Sequence, residues 1–145
     1  MENILVSACL LGENCKYNGG NNFNEKVALL KEKYNIIHIC PESDGGLPTP
    51  RIPSEIQGNR VVNKEGLDVT KEYNKGALIA LELAKKHNCR IAVLKEKSPS
   101  CGSKFIYDGS FTGTKIASSG VTTKLLRDNG LLVYSEDEVD KLLNN

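Results

Sequence analysis

The chain has 145 residues, with 19 basic and 18 acidic side chains and a formal charge of +1. That length suits one domain with its own core, and the balanced charge argues against a general nucleic-acid coat or a protein held on an anionic membrane surface. Five cysteines are an odd number, which a fully paired disulfide framework cannot use.

The opening Met1–Val6 has no basic n-region and no apolar h-region, so no secretory leader is expected. No apolar run approaches the ~18 residues of a membrane span. A cytoplasmic, reducing setting is the expectation, and there clustered cysteines are more often metal-binding or catalytic than bridged. Residues 4–7 read as a buried strand. A helix over 25–34 follows a cap at Asn24 or Asn22, and a second strand covers 36–40. Residues 41–67 form a long loop holding four of the five prolines, with a small hairpin over 56–62. A helix over 70–87 places Tyr73, Ala77, Ala80, Leu81 and Ala84 on one face. Strand 91–94 leads into a second long loop, 98–119, with a turn at 107–110. A helix over 121–129 stops at Gly130, strand 131–134 follows, and a capping box from Ser135 opens a last helix over 136–143.

This alternation predicts an α/β fold: one domain over 1–145, with a mainly parallel open sheet of about four core strands flanked by helices. The arrangement is Rossmann-like and three-layered, with long cysteine-bearing loops at the strand C-terminal edge. Cys9 follows the first strand, Cys40 ends the second, and Cys101 lies in the loop leaving the third. In an open parallel sheet those ends share one edge, where ligands bind, so three thiols distant in sequence should converge. Cys15 lies in the same loop as Cys9. Cys89 precedes the third strand at the opposite edge and reads as a small buried hydrophobe. Converging thiols suit zinc or an iron–sulfur cluster. Glycines at 12, 19, 20, 45, 46 and 102 flank these loops, and on this reading they let backbone approach a bulky group closely.

Several motifs recur in order: Ile4-Leu5-Val6-Ser7-Ala8-Cys9-Leu10-Leu11-Gly12, Cys15-Lys16-Tyr17-Asn18-Gly19-Gly20, Cys40-Pro41-Glu42, Gly45-Gly46-Leu47-Pro48-Thr49-Pro50-Arg51, Lys95-Glu96-Lys97-Ser98-Pro99-Ser100-Cys101-Gly102, Ile106-Tyr107-Asp108-Gly109-Ser110-Phe111 and Gly120-Val121-Thr122. Across nearly the whole chain they resemble the small bacterial family that contains the thiouracil desulfidases. Lys16 and Asn18 stand where Arg and Asp are usual, and Ser43-Asp44 where an apolar pair is common. These departures bear on substrate choice more than on the cluster.

The resemblance implies non-redox removal of sulfur from a thiouracil-type base or its nucleotide, a hydrolytic C–S cleavage that releases sulfide. It implies a [4Fe-4S] cluster on Cys9, Cys40 and Cys101 with one iron open, sensitive to oxygen and lost on aerobic preparation. That iron would activate the substrate sulfur for attack of water on the carbon. Glu42 matches the catalytic acid/base and Ser98 the catalytic serine. Cys15 and Ser100 are near-cluster candidates. Arg51, and more weakly Lys16, Arg60 and Lys104, are candidates for the substrate, Arg51 by a bidentate phosphate contact. Tyr17, Phe105, Tyr107 and Phe111 are candidates for stacking on a pyrimidine. The expected partner is a small thiopyrimidine or its monophosphate, with no membrane and no stable nucleic-acid complex. The alternative class is a non-catalytic iron–sulfur or zinc protein; a thiol-redox pair of Cys9 and Cys15 is a third.

Overall fold

The computed structural model describes residues 1–144. Its strands are β1 (Glu2–Ser7), β2 (Tyr34–Ile39), β3 (Ser54–Gln57), β4 (Arg60–Asn63), β5 (Ile91–Leu94), β6 (Phe105–Tyr107), β7 (Lys115–Ala117) and β8 (Leu132–Ser135). Its helices are α1 (Glu25–Ala28), α2 (Pro41–Asp44), α3 (Thr70–Lys86), α4 (Val121–Asp128) and α5 (Asp140–Leu143). Among the described residues no helix is long and apolar enough to cross a membrane.

Four strands form one sheet in the order β2-β1-β5-β8, every pair parallel. Alternation along the strands serves two faces. Leu5, Ala92, Leu94 and Val133 pack with Ala80, Ala84 and Leu126 of α3 and α4. Ile4, Val6 and Val93 pack with Val27, Leu30, Val139 and Leu142 on the α1 and α5 side. Both faces are covered, which is why the strands read as apolar runs. This is the expected three-layer α/β fold. The chain crosses from β2 at one side of β1 to β5 at the other, so the topological switch point lies at the C-terminal ends of β1 and β5.

Several elements differ from expectation. The helix over 25–34 is one turn, α1, followed by a 3-10 turn at Leu29–Glu32, and Tyr34 already belongs to β2. The sheet takes Tyr34 because its backbone pairs with Glu2. Asn24 is the cap, accepting from the Val27 N–H at 3.1 Å. Residues 136–143 begin as a 3-10 turn and become helical only at α5, although the capping box forms as read. The 56–62 hairpin is present as β3–β4 and packs on α3 through Val61, Val69 and Tyr73. A second hairpin, β6–β7, lies inside the 98–119 loop. Its strands are three residues each; β6 buries only Ile106 and β7 is exposed throughout, so the alternation is too short to read.

Candidate active site

A cavity of ≈ 540 Å³ opens at the sheet edge where β1, β2 and β5 end, a size that suits a small molecule. Cys9, Cys15, Cys40 and Cys101 all line it, and all are free thiols. Cys9 sits in the 3-10 turn Ala8–Leu11 directly after β1. Cys40 follows β2 as the residue capping α2, whose first position is Pro41, a residue preset for a helix start. Cys101 sits in the loop after β5, its N–H donating to Ser98 Oγ at 3.0 Å and its carbonyl accepting from Thr123 Oγ1 at 2.8 Å. Cys89 is buried at the far end of the sheet.

The thiols differ electrostatically. Cys15 donates to both Cys9 and Cys40, so its own pKa rises. It draws Cys40 down to about 6, helped by Ser43 and opposed by burial. Cys9 is lowered, chiefly by Cys15. Burial and then the Glu42 carboxylate push Cys101 up. Two thiols inclined to the thiolate form suit metal ligation. Among the described residues, no three His, Cys, Asp or Glu side chains close on one point as a single ion requires. The donor set is soft and spread over the cavity wall, so it fits a group with several irons better than one zinc ion.

Glu42 lies in the first turn of α2 and faces the cavity with its carboxylate side chain 17% exposed. Oε1 accepts from Ser98 Oγ at 3.2 Å, and Oε2 from Tyr73 OH at 2.8 Å and Arg51 Nε at 3.4 Å. A carboxylate offers about four acceptor positions, so one remains for a water in the cavity. The Ser98 hydroxyl also accepts from the Ser100 and Cys101 N–H groups, both at 3.0 Å, and so ties Glu42 to the Cys101 loop.

Arg51 also lines the cavity. Its side chain is 6% exposed, and its donors go to Glu42, Pro48 O, Thr49 Oγ1 and Cys15 O, the last at 2.8 Å. Four of the five guanidinium N–H groups are spent this way and fasten the Cys15 loop to Glu42, which leaves one donor. Lys16 does line the cavity, its ammonium 5.9 Å above the Tyr17 ring. Arg60 pairs with Asp68 and Lys104 with Glu138, both outside this cavity. Tyr17, Tyr107 and Phe111 line the cavity, and Phe105 lines a separate groove. Ser100 is fully buried, its hydroxyl 2.7 Å from Thr122 Oγ1 on α4 and also bonded to the Cys101 thiol. The flanking glycines are a correction. None of Gly12, Gly19, Gly20, Gly45, Gly46 and Gly102 lines the cavity. A Cβ on Gly45 would meet Glu72 O at 2.2 Å, and one on Gly102 would meet Phe105 O at 2.6 Å, so these two admit the protein's own backbone.

Sequence reasoning missed Tyr73 as a site residue and Glu96 altogether. A tyrosine on an otherwise apolar helix face was the available signal, since a buried phenol needs a partner. Glu96 is 5% exposed and accepts from Lys97 N, Ser103 N, Ser103 Oγ, Lys104 N and Phe105 N at 2.8–3.3 Å. Burial alone would raise its pKa, but the Ser103 hydroxyl and the backbone donors outweigh burial and hold it below the ordinary glutamate value. A depressed folded pKa contributes stability above the unfolded value of about 4.3, and loses it as pH falls through the folded value. Glu96→Gln should therefore cost about 2 kcal/mol at neutral pH and flatten the acid limb of stability, read as urea midpoints between pH 3 and 7. Equal midpoints for both proteins at pH 7 would remove this carboxylate as the organiser of the Cys101 loop.

Residues 4–138 match the family described as 2-thiouracil desulfurase. An uncharacterized Bacillus subtilis (strain 168) protein, YbbK, is 45% identical over 150 residues, which cover 97% of this chain and 99% of the relative. The solved structure of the [4Fe-4S]-dependent thiouracil desulfidase TudS superposes with a TM-score of 0.93 at 47% identity, covering 99% of this chain and 96% of that one.

Proposed function

The chain belongs to the 2-thiouracil desulfurase family, and on that premise we propose that it removes sulfur from a thiouracil-type base or its nucleotide by hydrolysis. The balance is C=S plus water giving C=O plus hydrogen sulfide, with no electron transfer. One observation carries the reading: the Cys9, Cys40 and Cys101 thiols and the Glu42 carboxylate line the same cavity. Those three thiols would hold a [4Fe-4S] cluster, with Cys15 beside them as a fourth thiol outside the ligand set. When bound, such a cluster with one iron free of protein supplies a Lewis acid for a soft thiocarbonyl sulfur.

The remaining work falls to the chain. Glu42 takes a proton from the attacking water through its free acceptor position and returns it to the departing sulfur. Ser98 spends its hydroxyl proton on Glu42 Oε1, so its role is to aim the carboxylate rather than to attack. Tyr73 and Arg51 hold the other oxygen, fixing the carboxylate plane. Lys16 at the cavity wall offers a cation to an anionic substrate.

The test is anaerobic. Protein purified without oxygen should be brown, contain iron and acid-labile sulfide, and release sulfide from thiouracil or thiouridine monophosphate. Cys9→Ser, Cys40→Ser and Cys101→Ser should each lose most of the iron, and Cys15→Ser should keep it. Iron with no sulfide release would favour the non-catalytic iron–sulfur protein; a colourless protein that resists reconstitution would sink the cluster.

A further inference from the structure

Three residues other than glycine have positive φ among the described residues: Asn88 (55°), Lys97 (71°) and Phe111 (57°). Asn88 follows the C-terminus of α3, a place where asparagine tolerates the left-handed region. Lys97 and Phe111 have no such excuse. A bulky side chain there is a true outlier, and such outliers persist where the surroundings over-determine them. Both line the cavity that holds Glu42 and the thiols.

Each is held the same way. The Lys97 N–H donates to Glu96 Oε1 at 3.1 Å, and the Phe111 N–H to Glu55 Oε1 at 3.2 Å. Both glutamates are buried, at 5% and 9% exposure. Glu55 also takes the Gly109 N–H at 2.9 Å, and Gln57 binds the Gly109 carbonyl at 2.8 Å, which pins this loop to β3. Nearby, Gly109 and Gly113 adopt positive φ with glycine. Phenylalanine at 111 is thus strained where its neighbours show the unstrained solution. Of the cavity lysines, Lys95 pairs with Glu136, whereas among the described residues Lys16, Lys64 and Lys97 have no carboxylate partner, and of these three only Lys97 has its backbone held at positive φ.

We propose that Phe111 and Lys97 are the substrate-gripping pair of this cavity: the Phe111 ring stacks on the pyrimidine, and the Lys97 ammonium meets the phosphate of a nucleotide substrate. This rests on the desulfidase reading. A planar heterocycle gains from an aromatic face held rigidly, and an unpaired ammonium at a cavity wall favours an anion over a neutral base. Phe111 then serves base and nucleotide alike, and Lys97 discriminates between them.

The holoenzyme tests this through KM and kcat for 2-thiouracil and thiouridine monophosphate, with calorimetric binding of uracil and uridine monophosphate as a readout that needs no turnover. Phe111→Leu should raise KM for both substrates, and Kd for both products, by about tenfold with kcat nearly unchanged. Phe111→Tyr should restore wild-type binding. Lys97→Gln should weaken the nucleotide alone, again by about tenfold. Phe111→Gly should melt at a higher temperature than Phe111→Ala, because only glycine is free of strain at that φ. Phe111→Leu with unchanged KM and Kd overturns the stacking role, and Lys97→Gln acting equally on base and nucleotide overturns the phosphate role. Melting of Phe111→Ala at or above Phe111→Gly removes the strain argument. A wild-type holoenzyme that binds both products but releases no sulfide fails the desulfidase reading instead, and the product-binding comparison still judges the pair.

Discussion

Glu42→Gln should lower kcat for sulfide release by about 10²–10⁴-fold while iron content stays near that of the wild type. Glutamine keeps the length and shape of the side chain, and its carbonyl oxygen can still accept from Ser98. The amide nitrogen must face Tyr73 and Arg51, which are donors, so a modest loss of stability is expected too. What the amide cannot do is take a proton from water. Tyr73→Phe is the informative companion. It removes the 2.8 Å bond to Oε2 and leaves the carboxylate in place, so its effect on kcat should be clearly smaller than that of Glu42→Gln. Arg51→Lys should behave less conservatively than its charge suggests, because one ammonium cannot reach Glu42, Pro48 O, Thr49 and Cys15 O at once. If kcat of Glu42→Gln falls by less than tenfold in protein with full iron content, Glu42 is not the base.

The same site shows what a sequence does and does not carry. The central strands β1 and β5 were legible because a strand covered on both faces reads as an apolar run, and the edge strands β2 and β8 because Ile36, Ile37, Ile39 and Val133 keep them largely apolar. Their parallel order then brings Cys9, Cys40 and Cys101 to one cavity. The partners of Arg51 were not legible, because a sequence records that a guanidinium exists and not where its donors go. Glu96 was invisible for a related reason. Its partners are a serine and backbone N–H groups of residues 97–105, and backbone donors carry no residue code. Lys97 and Phe111 hide a backbone property, since positive φ is expected only at glycine and asparagine. The β6–β7 hairpin escaped because β6 buries one residue, Ile106, and Lys115, Ile116 and Ala117 of β7 are all exposed, so the inside-outside alternation is too short to read.

Glycines that admit the protein's own backbone include Gly76 and Gly120, which lie outside the cysteine-flanking set. Gly76 lies inside α3, where alanine would normally gain about 1 kcal/mol of helix propensity. A Cβ there would sit 1.9 Å from Pro41 O and 2.7 Å from Pro41 C, both backbone atoms of α2. That contact cannot be relieved by turning a side chain; α2 itself has to move away from α3. Overpacking typically costs 1–3 kcal/mol, and so hard a backbone contact belongs at the top of that range. Gly76→Ala should therefore be destabilised by roughly 2 kcal/mol net of the propensity gain. The displaced turn carries Cys40 at its cap and Glu42 in its first turn, so iron content and activity should fall together. Gly120 repeats the arrangement behind Cys101, with a Cβ 2.4 Å from the Ser100 carbonyl and 2.8 Å from Cys101 N. Gly120→Ala should thus lose iron through the other loop. Asn74→Ala, on the exposed face of α3, receives the helix propensity without the clash and should melt at or slightly above the wild-type temperature. Gly76→Ala melting with Asn74→Ala, with iron retained, would show that α2 yields freely. The close packing of α3 on the Cys40 turn would then no longer explain how a glycine outside the cavity sets the geometry inside it.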